Sequence, residues 1–133
     1  MQNIAAGFLA YHPKSKRVLL GLRSDTNSWA NFGGGFEPEK DKTVKDAAIR
    51  EFFEETGCVS GYKISVKPLE IHKDNFIRYY TYLAIFDKMF EPSLNNEHRN
   101  YGWFKLDNLP SNIMPECYEA MMKKKPQLEA IFS

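Results

Sequence analysis

The sequence predicts an α+β fold, a mixed β-sheet with helices packed on it. Three observations point there. Short runs rich in β-branched and aromatic residues are interleaved with helical stretches in the order β-β-loop-α-β-β-loop-β-α. The first helical stretch carries its own start and stop signals. A chain of 133 residues, 43% of them hydrophobic and 14% aromatic, can also close one core. It reads as a single domain over residues 1–133, with no linker, repeat or low-complexity segment.

Residues 3–11 (NIAAGFLAY) are apolar and small and read as a strand. The polar stretch 12–16 contains Pro13 and turns the chain, and residues 17–22 (RVLLGL) return as the second strand of a hairpin. Residues 24–35 read as a loop ending on Gly33-Gly34-Gly35. Thr43 then caps a helix, Asp46 completes a capping box, and Gly57 stands at the C-terminal cap. Residues 62–72 and 76–87 read as two long strands joined by a turn at Lys73-Asp74-Asn75. Residues 88–100 form a polar loop and Gly102-Trp103-Phe104 a short extended piece. A C-terminal helix spans 111–131, where Pro115 and Pro126 are potential breaks.

Charge limits the partners. With 18 basic and 17 acidic residues the net charge is +1, which leaves no basic face for duplex nucleic acid but allows a small anion. No run approaches the ~18 apolar residues of a membrane span. The stretch Met1-Gln2-Asn3-Ile4 opens no signal peptide. Cys58 and Cys117 read as free thiols of a reducing compartment. The expectation is a cytoplasmic monomer or homodimer that acts on a small molecule.

The chemistry points to the helix. At about 100° per residue, Glu54 lies about 60° to one side of Glu51 and Glu55 about 40° to the other, so three carboxylates share a stripe. Val44, Ala47 and Ala48 lie under them, while Ile49 and Phe53 project from the opposite side. That pattern predicts a helix held between layers. Three like charges repel unless a cation joins them, and Mg²⁺ or Mn²⁺ takes oxygen ligands. Mg²⁺ usually keeps waters and substrate phosphates, which implies a phosphorylated substrate. The alternative is a solvated acidic face. Arg50, whose planar fork can orient a carboxylate, and the glycine triplet, whose backbone can approach a metal or phosphate closely, favour the site.

The stretch from Trp29 to Glu37, followed by Ala47 to Cys58, resembles the Nudix box, G-x5-E-x7-R-E-U-x-E-E-x-G-U with U bulky and apolar. Arg50 to Gly57 matches at every specified position, and Cys58 takes the last U. The resemblance extends over most of the chain, through Leu22-Arg23, Glu97-His98, Trp103 and Leu109-Pro110. The front half departs from the pattern. Arg50 stands 16 positions after Gly34, two more than the box allows, which places the extra residues within Pro38–Lys42. Lys42 occupies the place of the first glutamate, with Glu39 or Asp41 as a stand-in.

The resemblance implies an α/β/α sandwich and hydrolysis of a nucleoside diphosphate linked to another group, with Mg²⁺ or Mn²⁺ as cofactor. Glu51, Glu54 and Glu55 would hold the metal, joined by the Gly34 carbonyl, and Arg50 would orient them. Glu97 is the leading base or supporting ligand from outside the box, ahead of Glu55 and Glu54; the alternative is a surface loop acid. His98 could reach substrate, though a loop histidine is commonly solvated. Arg23, Gly33, Gly35 and Tyr79 are the candidate substrate contacts. The substrate expected is a nucleoside triphosphate. Behind it stand a dinucleoside polyphosphate or nucleotide-sugar, a binding module without catalysis, and an isomerase.

Overall fold

The computed structural model describes residues 3–131. Its elements are β1 (Asn3–His12), β2 (Arg17–Arg23), β3 (Trp29–Ala30), β4 (Phe32–Gly35), α1 (Val44–Thr56), β5 (Tyr62–Ile64), β6 (Glu70–Lys73), β7 (Ile77–Phe86), β8 (His98–Lys105) and α2 (Pro115–Glu129).

β1 is the spine of a mixed sheet. It runs parallel to β7 from Asn3↔Ile77 to Tyr11↔Ile85. On its other edge it pairs antiparallel with β4 from Ala5↔Gly35 to Phe8↔Phe32, and further on with β2 from Ala10↔Leu19 to His12↔Arg17. β2 also carries β3 and β8, while β7 carries β5 and β6. The sheet therefore splays on both sides of the β1–β7 pair.

Alternation along the strands feeds two cores. Ala6, Phe8 and Ala10 face α1 and pack with Phe32, Ala47, Ala48, Phe52 and Phe86. Leu9 and Tyr11 face α2 and pack with Val18, Leu20, Leu83, Cys117, Met121 and Leu128. This is the expected sandwich of one sheet between helices.

The first helix is built as its sequence predicts. The Asp46 N–H donates to Thr43 Oγ1 and the Thr43 N–H to Asp46 Oδ2, both at 3.1 Å. Gly57 ends the helix at φ 75°, its N–H donating to Phe53 O at 2.8 Å. The layer prediction for α1 holds on one side only. Ile49 and Phe53 are 36% and 49% exposed, because the sheet covers a single sector centred near Glu55.

Other boundaries differ from expectation. The glycine triplet lies within strand β4, ordered by backbone pairing to β1. The strand expected over 62–72 is two strands. Pro68 has no N–H to give the ladder, and the chain leaves the β7 edge between Ser65 and Leu69. The piece expected at 102–104 extends over His98–Lys105, so the last three residues of the loop expected over 88–100 are strand. Pro115 starts α2 at a position where a missing N–H costs nothing. Pro126 lies inside α2 without ending it; the next turn is pinned by Leu128, which is fully buried.

Candidate active site

Arg50 organises the acidic side of α1. Its Nε and Nη2 donate to the two oxygens of Asp41 at 2.8 and 2.9 Å. Nη2 also donates to the Gly35 carbonyl at 2.9 Å. Nη1 reaches one oxygen each of Glu51 and Glu54, both at 3.1 Å, with Glu37 at 3.2 Å. Asp41 is buried and accepts a third bond, from the Glu37 N–H at 2.9 Å. The hydrogen-bonded Arg50 guanidinium holds the Asp41 carboxyl below the usual carboxylate range.

The three helix glutamates occupy graded environments because the stripe crosses from solvent to core. Glu54 is exposed. Glu51 is partly buried and lies against Gly34, where a Cβ would strike its carboxylate. Burial pushes the Glu51 carboxyl up, and the Arg50 charge opposes the rise. Glu55 is 1% exposed and its Oε1 has no hydrogen-bond partner. Burial first, then the charges of Glu51 and Glu97, push its carboxyl up to about 9.

Three residues from β8 and the loop before it, Asn95, Glu97 and His98, reach this face. Asn95 Nδ2 donates to the Glu54 carbonyl at 3.1 Å and to Glu97 Oε2 at 3.4 Å. Asn95 Oδ1 accepts the Glu97 N–H at 3.0 Å. One asparagine thus ties the Glu97 loop to the last turn of α1. His98 is buried rather than solvated, and its Nδ1 stands 3.8 Å from Glu55 Oε2. Burial first, then the Arg23 charge, lowers the His98 pKa.

Beside the carboxylates lies a cleft of about 990 Å³, bounded by Gly33–Gly35, the β6–β7 hairpin and α2. Arg23 and Tyr79 line it. Arg23 is held side-on by Asp25, at 3.0 and 2.8 Å. The Tyr79 hydroxyl is wedged under the glycines, where a Cβ on Gly7 or Gly33 would collide with it. Glu51, Glu54 and Glu55 do not line the cleft; Gly34, which does, lies against the Glu51 carboxylate.

This set of donors suits a hard divalent ion. Its carboxylates are oxygen donors, and the unpartnered Glu55 Oε1 is a buried acceptor awaiting a partner. Among the described residues no three acidic, imidazole or thiol groups already converge on one point. Glu51 and Glu54 are bonded to Arg50 instead.

A family model described as NUDIX domain matches residues 1–124. The chain belongs to the NUDIX family. A stretch of 75 residues is 39% identical to the m7GpppN-mRNA hydrolase dcap-2 of Caenorhabditis elegans, covering 54% of this chain and 10% of that protein. The chain thus spans about a tenth of that relative's length. The Ap4A hydrolase of C. elegans, solved as a binary complex, superposes with a TM-score of 0.81 at 23% identity, over 96% of this chain and 99% of that one. The NUDIX domain of Shewanella oneidensis NrtR, solved with ADP ribose, gives a TM-score of 0.79 at 16% identity, over 96% and 89% of the two chains. At those identities the likeness speaks for the fold alone.

Within this Nudix domain the front of the box is less disturbed than the distance from Gly34 implies. Counted from Gly35, Asp41 falls on the acidic position of G-x5-E, and one extra residue lies between Asp41 and Arg50. Of the two stand-ins, Asp41 meets Arg50, while Glu39 and Lys42 are exposed. Spacing from the third glycine was the signal that could have found it. Nothing local marks Asn95 or the burial of His98, because both depend on where β8 docks.

Proposed function

We propose that this Nudix domain is a metal-dependent hydrolase that cleaves the diphosphate bond of a nucleoside diphosphate linked to another group. A nucleoside triphosphate, cut to a monophosphate and pyrophosphate, is the leading substrate. The observation that carries the reading is the Arg50-bound pair Glu51 and Glu54 with buried Glu55 beside them on α1, Glu97 tied to the same helix through Asn95, next to a cleft of about 990 Å³. Glu51, Glu54 and Glu55, with the Gly34 carbonyl, would hold Mg²⁺ or Mn²⁺. The bound ion supplies neutralisation of phosphate charge and a lower pKa for water. Arg50 orients Glu51 and Glu54 through Nη1 and is itself held in place by Asp41. Glu97 or Glu55 takes the proton of the attacking water. Arg23 pairs with a substrate phosphate, Gly33 and Gly35 let it approach the backbone, and Tyr79 borders its seat. The front of the box lends no support to a module without catalysis, because its acid–arginine contact is present.

The test is a panel of nucleoside triphosphates, dinucleoside polyphosphates and nucleotide-sugars incubated with Mg²⁺ or Mn²⁺, with release of phosphate and pyrophosphate measured. Turnover of at least one member is expected, falling in Glu54→Gln as one carboxylate of the metal-holding set loses its charge. No turnover of any member overturns the reading, as does a Glu54→Gln variant that behaves like wild type.

A further inference from the structure

Three buried polar atoms without partners belong to two neighbouring side chains. They are Oε1 of Glu55 on α1 and both ring nitrogens of His98 at the start of β8. Burying a polar atom without a bond is costly, so a cluster of them marks a place built for another state. The closest polar approach within it is His98 Nδ1 to Glu55 Oε2, at 3.8 Å. That is about 0.9 Å beyond an ordinary N–H···O contact of ~2.9 Å.

The imidazole is held in a slot that only a glycine permits. A Cβ on Gly21 would lie 2.6 Å from His98 Cδ2 and 2.7 Å from Phe32 Cζ. The Phe32 ring packs against the imidazole with centroids 4.6 Å apart. Among the described residues Glu55 is the only acidic side chain within 4.0 Å of the His98 ring nitrogens. We propose that His98 is a positioning residue, whose Nδ1–H donates to Oε2 of Glu55 when that side chain holds a cation. Oε1 then turns toward the ligand. Each Glu55 oxygen gains one partner, and the ring's N–H lies on the side of its acceptor. A carboxylate fixed in this way binds a cation without first searching its rotamers. The inference rests on the hydrolase reading above.

Two substitutions separate positioning from packing. His98→Asn keeps an N–H donor near the place of Nδ1. His98→Leu keeps apolar bulk against Phe32 and has no donor. The readouts are the Mn²⁺ dissociation constant of the substrate-free protein by titration calorimetry, and kcat and KM for a nucleotide that wild type cleaves. His98→Leu is expected to weaken Mn²⁺ binding about 10–100-fold and to lower kcat with KM unchanged. His98→Asn is expected to stay close to wild type. Wild-type Mn²⁺ affinity in His98→Leu overturns the inference, as does a pattern in which leucine rescues and asparagine does not. Should His98→Leu fail to fold, Gly21→Ala displaces the imidazole without removing it; unchanged Mn²⁺ affinity there overturns the inference equally. A wild-type protein that neither binds Mn²⁺ nor cleaves any nucleotide overturns the hydrolase reading first, and this inference with it.

Discussion

Asp41→Asn removes one charge from the contact that anchors Arg50. The aspartate side chain is 1% exposed and that of Arg50 15%, so water cannot replace what is lost. An amide can accept on one side only, leaving an N–H₂ group facing Arg50 or the Glu37 N–H. Breaking a buried ion pair from one side costs about 3–5 kcal/mol. Arg50 keeps Glu37, Glu51 and Glu54 as partners, which places the loss near ~3 kcal/mol, at the lower end of that range. For a domain of this size, about 4 °C per kcal/mol converts that into a fall in melting temperature of about 12 °C. The assay is thermal unfolding of metal-free protein, with Lys42→Ala as the control at an exposed site. The sign with pH follows from the depressed Asp41 carboxyl. Its contribution is complete above the unfolded carboxyl pKa of ~3.9 and is lost as pH falls through the lower folded value. The gap between wild type and variant should therefore be constant from neutral pH down to about 5 and close in stronger acid. A difference under about 2 °C at pH 7, or a loss as large in Lys42→Ala, refutes the reasoning.

Two further outcomes follow from the same geometry. Gly34→Ala drives a methyl group into the Glu51 carboxylate, so activity and Mn²⁺ affinity should fall about tenfold or more while circular dichroism stays native; unchanged affinity would show that Glu51 has room to yield. Glu55 has a carboxyl raised to about 9, so the metal-free folded state keeps a proton that the unfolded chain releases near ~4.3. Stability is then full below that lower value and declines as pH rises toward 9, by up to ~1.4 kcal/mol per pH unit. Denaturant titrations from pH 5 to 8 should show this slope in wild type and lack it in Glu55→Gln; a flat wild-type profile contradicts it.

What was legible in the sequence was whatever depends on neighbours a few positions away. The capping box of Thr43 and Asp46, the Gly57 stop and the stripe of Glu51, Glu54 and Glu55 are consequences of helical spacing, and they stand where the sequence puts them. The Nudix box from Arg50 to Gly57 belongs to the same category. The break between β5 and β6 is marked by Pro68, yet the apolar and β-branched residues on either side of it read as one strand. The glycine triplet read as a loop because glycine has low strand propensity, whereas pairing with β1 supplies the order its side chains cannot.

By itself the sequence determined the family's helix, its acidic stripe and the alternation that divides two cores. Tertiary structure alone decided how that stripe is used. It turned Glu55 to the centre of the buried sector and left Glu54 in solvent, although the two are adjacent in sequence. It selected Asp41 over Glu39 as the partner of Arg50. It brought Asn95, Glu97 and His98 from the far side of the chain onto α1. The reason is physical: spacing sets the direction of a side chain about its own helix, but burial and partners depend on which strand docks opposite, and that contact is between residues far apart in sequence.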